Sequence, residues 1–311
     1  MSSGVRSHTV PAADRVAMSL PRLQEMKENG EPIVMVTAYD YPSATVAEAA
    51  GVDLVLVGDS AANVVLGYDR TDLVSMEEMI VLGKAVRRGL RTPLMIGDMP
   101  MGSYEASDEL AVLSAQRLIK ETGCQAVKLE AGGVSVQRAR AIVAAGIPVM
   151  GHLGLTPQTA TSLGGYKAQG KSAKAAIQMS EDALALQAAG CFAVVFEAVP
   201  AEIATTISER LDIITIGIGA GSGTSGQVLV FHDLLGITTG HMAKFVKQYG
   251  DVHASMVEAV GRYADEVRGG SFPGPEHVYA IDEDELADFR RHVDDHAALA
   301  SVKAWEWEPL S

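Results

Sequence analysis

Apolar residues gather along this chain in eight short runs, and most intervening segments repeat their apolar positions every three or four residues. The runs predict β-strands at 33–39, 52–58, 93–97, 126–129, 148–152, 192–196, 213–218 and 227–231. Stretches such as VMVTAY and AVVFEA are apolar on both faces, as strands covered on both sides must be. The segments between them carry helix signals. Ser75-Met76-Glu77-Glu78 is a capping box, and Gly123 and Gly190 stand where helices over 107–122 and 172–189 should stop. Residues 19–29, closed by Gly30, read as an extra helix ahead of the first strand.

Strand and helix signals that alternate give parallel strands joined by right-handed crossovers. Eight strands in one such stretch fit a closed (β/α)₈ TIM barrel better than an open sheet. The expected layout is one domain over 1–311, with the barrel at about 31–270 and an acidic helical C-terminal extension at about 280–311. One connection breaks the pattern, because GSGTSG before the last strand is too short for a helix. It includes a formal Gly221-x-Gly223-x-x-Gly226 match, but a strand follows where dinucleotide binding needs a helix N-terminus. Those glycines read instead as a tight strand-to-strand turn or as allowing close approach of a substrate to backbone.

Candidate chemistry comes from the strand ends. Three buried-looking strands finish in Asp59, Asp98 and Glu130. An unpaired carboxylate in such a place is costly, so three in succession point to a shared positive partner, with a divalent cation suited to oxygen ligands. A barrel collects its active site at the C-terminal strand ends, where His152 and Glu197 also fall. Lys128 shares a face with Glu130. Each has a plainer reading: Asp59-Ser60 as a helix cap, Asp98 as a turn residue, Lys128 and Glu130 as a structural ion pair, His152 as a core histidine. Five such accidents on one rim are harder to accept than one site. The polar, Gly-rich segment 156–172 reads as a cover or an ordinary surface loop.

Composition narrows the partners. A net charge of −14, from 25 basic and 39 acidic residues, argues against nucleic acid or an anionic membrane. The N-terminal segment has no apolar signal core, and no apolar run approaches membrane-spanning length, so the expected location is cytoplasmic. Cys124 and Cys191 read as small core residues without metal or disulfide spacing.

The motifs VTAYDYPSA, VLVGDS, GDMP, VKLE, GHLGLTPQ, GGYKAQG, FEAVP, IGIGAG and HDLLGI, in this order from about residue 33 to 277, resemble the ketopantoate (3-methyl-2-oxobutanoate) hydroxymethyltransferase family. The resemblance implies a TIM-barrel enzyme of pantothenate biosynthesis. It would move a hydroxymethyl group from 5,10-methylenetetrahydrofolate to 3-methyl-2-oxobutanoate with Mg²⁺, through a metal-stabilised enolate, in a homodecamer. It further implies Asp59, Asp98 and Glu130 at the metal, Asp59, Ser60, Asp98 and Lys128 at the 2-oxo acid, and Glu197 as proton acceptor. His152 is a supporting candidate for orienting a ligand or substrate oxygen, and Tyr166 a candidate pterin contact. The competing expectations are a metal-dependent aldolase or lyase on another 2-oxo acid, a Schiff base at Lys128, and a non-catalytic oligomeric barrel.

Overall fold

The computed structural model describes residues 15–130, 132–159, 167–240 and 242–300, with side chains to residue 294. Eight parallel strands close into a barrel in chain order: β1 (Ile33–Thr37), β2 (Leu54–Val57), β3 (Leu94–Asp98), β4 (Ala126–Glu130), β5 (Val149–Gly154), β6 (Ala193–Glu197), β7 (Ile214–Ile218) and β8 (Gly226–Leu229). All eight expected strands are present. At the last, Phe231 begins a helix instead of ending a strand, its N–H donating to Thr37 Oγ1 at 2.8 Å.

The helices are α1 (Leu20–Glu28), α2 (Tyr41–Ala50), α3 (Ala61–Val64), α4 (Met76–Gly89), α5 (Asp108–Thr122), α6 (Ser135–Ala144), α7 (Ala173–Ala188), α8 (Ala201–Ser208), α9 (Phe231–Leu234), α10 (Val252–Gly269) and α11 (Glu283–Ala300). The expected Ser75–Glu78 box is closed in both directions, and Ser19, Ser107 and Ser172 likewise each accept a first-turn N–H. Helix α1 seals the N-terminal end of the barrel, where Leu23 and Met26 join the interior cluster. Lys27 fixes it there by donating to the carbonyls of Leu211 and Ile213. No helix lies between β7 and β8, as the short GSGTSG segment required.

The chain divides into two compact units, residues 1–253 and 254–311. In the second, the Tyr263 and Phe272 rings meet edge-on with centroids 5.5 Å apart. Helix α10 has no buried residue, and its Met256, Val260, Tyr263 and Val267 form an exposed apolar stripe. Among the described residues, no helix is long and apolar enough to cross a membrane.

Two apolar clusters build the first unit. One lies between barrel and helices, and the other fills the barrel interior with Ile33, Leu54, Leu94, Ile96, Met150 and Ile216 among its members. Because strand side chains alternate, this inner set fixes which later residues also point inward. It continues Ile96 to Asp98, Ala126 to Lys128 and Glu130, Met150 to His152, and Val195 to Glu197. The barrel is therefore apolar below and acidic or basic at its C-terminal mouth.

Candidate active site

Asp59, Asp98, Lys128, Glu130 and His152 are all buried in this mouth, and Glu197 is partly buried beside them. A cavity of about 550 Å³ opens over Asp59, Ser60, Asp98, Lys128, His152 and Glu197. Six of the seven strand-end candidates read from the sequence thus face one space. Glu130 is not on its wall: Gln158, from the turn after β5, covers it, donating its backbone N–H to both carboxylate oxygens at 3.2 Å.

Strand register decides the pairing. Asp98 and Lys128 are direct neighbours on β3 and β4, and Lys128 Nζ lies 2.7 Å from Asp98 Oδ1. The Lys128 ammonium turns to Asp98 rather than to Glu130, so the direct Lys128–Glu130 ion pair read as an alternative from sequence is not formed. The cap reading of Asp59 also fails, because α3 has no side-chain cap. Instead the Asp59 N–H donates to Asp98 Oδ2 at 3.1 Å, and Asp59 Oδ2 accepts from Gln158 Nε2 at 3.0 Å. Ser60 Oγ and the Tyr39 hydroxyl share a hydrogen bond of 2.7 Å.

Gln158 is the residue that sequence reasoning missed. Besides these bonds, its Nε2 reaches the Met99 carbonyl at 3.1 Å and its Oε1 accepts from Tyr104 at 2.9 Å. One buried glutamine therefore orients Asp59 through its side-chain amide and covers Glu130 through its backbone N–H. Its signal was present in GHLGLTPQ, where a glutamine follows a proline turn at a barrel strand end.

His152 occupies the middle of the mouth. Its Nε2 is 3.2 Å from Glu197 Oε2 and its Nδ1 is 3.8 Å from Glu130 Oε1, yet neither nitrogen makes a well-aligned hydrogen bond. Burial, reinforced by Lys128, lowers its pKa, so the ring is neutral at pH 7. The Glu197 backbone is held closely: Leu155 N–H donates to its carbonyl at 2.8 Å, and a Cβ on Gly154 would lie 2.2 Å from that oxygen. Ala198, next in the chain, has φ of 50°, a left-handed conformation costing a non-glycine residue ~1–3 kcal/mol. The Ala198 N–H donates to the Ile218 carbonyl at 2.9 Å, and Gln169 N–H donates to the Ala198 carbonyl, also at 2.9 Å, which holds this turn and aims Glu197.

Three buried carboxylates share one buried ammonium. Burial, aided by the Asp59 charge, pushes Glu130 up to about 9. Burial pushes Asp98 up to about 7 against the pull of Lys128. The carboxylates in turn hold Lys128 above the ordinary ammonium range despite its burial. Both acids bind protons more tightly folded than unfolded, so their stabilising contribution is complete below about pH 4. It is lost as pH rises through about 7 and then about 9. Chelated protein is therefore expected to melt at lower temperature at pH 9 than at pH 6, with the difference reduced in Glu130→Gln. A slope unchanged in that variant would assign the pH dependence elsewhere.

Among the described residues, no group of three or more His, Cys, Asp or Glu side chains is arranged to hold a metal alone. A hard cation such as Mg²⁺ commonly keeps water and substrate oxygens among its ligands. The donor set fits such an ion: it is all oxygen, its three carboxyl groups outnumber the one ammonium, and Asp59 Oδ1 receives no hydrogen bond from a described residue. Tyr166 lies outside the described residues, as does part of the 156–172 segment.

Residues 17–275 match the model of the ketopantoate hydroxymethyltransferase family. Similar proteins include the 3-methyl-2-oxobutanoate hydroxymethyltransferases of Moorella thermoacetica and Emericella nidulans. The first is 54% identical, covering 86% of this chain and 99% of the relative. The second is 46% identical, covering 91% and 82%. Among solved structures, 2,3-dimethylmalate lyase aligns with TM-score 0.53 at 16% identity, covering 95% of this chain and all of that one. Phosphonopyruvate hydrolase in complex with oxalate and Mg²⁺ aligns with TM-score 0.55 at 13% identity, covering 90% and 98%. At such identity these two establish the fold alone. The sequence relatives establish more: the chain belongs to the ketopantoate hydroxymethyltransferase family.

Proposed function

We propose that this mouth converts 3-methyl-2-oxobutanoate to its enolate, with Glu197 as base and Asp59, Asp98 and Lys128 at the oxygen end, and adds the one-carbon unit of 5,10-methylenetetrahydrofolate, with water supplying the hydroxyl oxygen and the proton and tetrahydrofolate leaving as the C–N bonds to the methylene break. Family membership gives the overall reaction, hydroxymethyl transfer to 3-methyl-2-oxobutanoate in pantothenate biosynthesis. The observation that carries the mechanism is the layout of the cavity wall, with Asp59, Asp98 and Lys128 clustered and Glu197 held by separate backbone contacts.

Removing the C3 proton places negative charge on the 2-oxo oxygen. Lys128, fixed by Asp98, supplies a positive charge for it without reorganisation. Glu197 accepts the proton at its carboxylate, and neutral His152 at 3.2 Å is available to steady the Oε2 side. Asp59 and Asp98 would hold Mg²⁺, with Glu130 behind Gln158 acting through water. When bound, Mg²⁺ supplies Lewis-acid polarisation of the 2-oxo group. Ser60 completes the 2-oxo acid contacts. The Mg²⁺ seen in phosphonopyruvate hydrolase belongs to a protein that shares only the fold, so the case here rests on the donor set. A Schiff base at Lys128 is disfavoured, because an ammonium held above its usual range by carboxylates is no nucleophile.

Product formation should require both Mg²⁺ and the reduced folate. Full turnover after exhaustive chelation, or without folate, would refute the proposal. Gln158→Leu should weaken Mn²⁺ or Mg²⁺ affinity by about 10–100-fold, the usual effect of losing a residue that orients a ligand. Unchanged metal titrations would remove Gln158 from that role.

The proposed location is the cytoplasm and the proposed assembly a homodecamer. The uncovered apolar stripe of α10 supports association, since monomers seldom leave such a face in water. Light scattering should give a mass near ten chains, reduced in Val260→Glu. A wild-type monomer would contradict this.

A further inference from the structure

A five-carbon 2-oxo acid occupies a small part of a cavity of about 550 Å³, a size typical of much larger ligands (~300–1,000 Å³). The remaining wall differs in character from the mouth below. It includes Ile218, Val230, Met242 and Phe245, with Asp233, Lys167 and Lys244 among them. Lys244 and Phe245 sit side by side on a turn after α9, closed by the Val246 N–H donating to the Ala243 carbonyl at 2.9 Å.

The Phe245 ring is set by backbone. It packs against Gly219 at the end of β7, where an added Cβ would come within 2.5 Å of Phe245 Cδ1. Gly219 also has φ of 63°, a second reason for glycine at this point. Phe245 joins the barrel's inner cluster and still lines the cavity, so an aromatic ring is offered at a fixed place in a chain with only 5% aromatic residues. Asp233 accepts from Thr238 through Oδ1 at 2.6 Å, while Oδ2 has no partner among the described residues. Lys167 and Lys244 are exposed, and neither ammonium has a partner among the described residues.

We propose that Asp233, Phe245 and Lys244 form the reduced-folate subsite, with Lys167 as an outer contact. Phe245 backs the pterin ring, and Asp233 receives the adjacent 2-amino and N3–H donors of its pyrimidine edge. Lys244 and Lys167 meet the glutamyl carboxylates of the tail. The arrangement places the one-carbon donor in the same cavity as the enolate while keeping the folate's negative charge away from Asp59 and Asp98. This assignment rests on the reading that a reduced folate is the co-substrate.

Calorimetric binding of tetrahydrofolate carrying one or three glutamates tests it, with folate-free deuterium exchange at C3 of 3-methyl-2-oxobutanoate measured alongside. Lys167→Ala combined with Lys244→Ala should weaken the triglutamate by about tenfold, as two exposed ion pairs would, and the monoglutamate less. Phe245→Leu should weaken both forms by about tenfold, and Phe245→Tyr should restore them. Exchange should persist in all variants. An unchanged ratio between the two folates in the double lysine variant would overturn the assignment. So would wild-type affinity in Phe245→Leu, or variants that lose exchange together with folate affinity. If the wild-type protein binds neither folate yet forms product, the co-substrate reading itself fails, a result separable from the others.

Discussion

Glu197→Gln is expected to slow hydroxymethyl transfer by about 10²–10⁴-fold, the usual contribution of a positioned general base. Binding of 3-methyl-2-oxobutanoate should change little. Glutamine keeps the size of the side chain and an oxygen or nitrogen near His152, so the cavity retains its shape. What it removes is the ability to hold a proton. Glu197 suits that task because it is the least buried acid of the group, with 17% of its side chain exposed against 1% for Asp98 and 3% for Glu130. Its backbone is pinned by Leu155 and by the left-handed Ala198 turn, so the carboxylate is aimed without being sealed. Steady-state kinetics with a separate measurement of 2-oxo acid affinity checks this. A variant within about tenfold of wild type in kcat would move the base elsewhere.

Lys128→Met should damage both chemistry and stability. The ammonium is 5% exposed and its partner Asp98 is 1% exposed, at 2.7 Å. Breaking a buried pair on one side typically costs about 3–5 kcal/mol, because it leaves a charge without compensation. Here the remaining charge would also face Asp59. Protonation offers an escape, since burial already pushes Asp98 up to about 7 and loss of Lys128 would push it further. The destabilisation should therefore be smaller at pH 6 than at pH 8. Activity should fall by about 10²–10³-fold even where the variant is folded, the typical loss when one charge-stabilising donor is removed. Denaturant unfolding at the two pH values, with kinetics on the folded fraction, gives both numbers. Equal destabilisation at both would contradict the account of Asp98, and retained activity the account of Lys128.

The barrel was legible in the sequence because its signals are local. Apolar runs, serine caps and stop glycines act within a few residues, and alternation along each strand carried Asp98, Lys128, Glu130, His152 and Glu197 to the same mouth. Pairing was less legible, because it depends on register between strands. Lys128 shares a strand with Glu130 but meets Asp98, which is 30 residues away in the chain. The placements of Gln158 and Phe245 were illegible for the same reason. Gln158 acts on Asp59 from 99 positions downstream, and Phe245 acquires its place only where the turn after α9 folds onto Gly219. Of the two readings of the Gly-rich segment before the last strand, the tight strand-to-strand turn is the one formed, with no helix between β7 and β8. Gly223 and Gly226 pack against Thr205 and the Ile33 carbonyl too tightly for any side chain.

In the proposed division of labour Glu197 takes the C3 proton while the Asp59, Asp98 and Lys128 cluster, with its divalent ion, holds the resulting charge. Deuterium exchange at C3 of 3-methyl-2-oxobutanoate, followed by NMR without folate, isolates that step. Exchange should require Mg²⁺ and fall sharply in Glu197→Gln and in Asp98→Asn. Exchange that continues undiminished after chelation, or in Glu197→Gln, would contradict it.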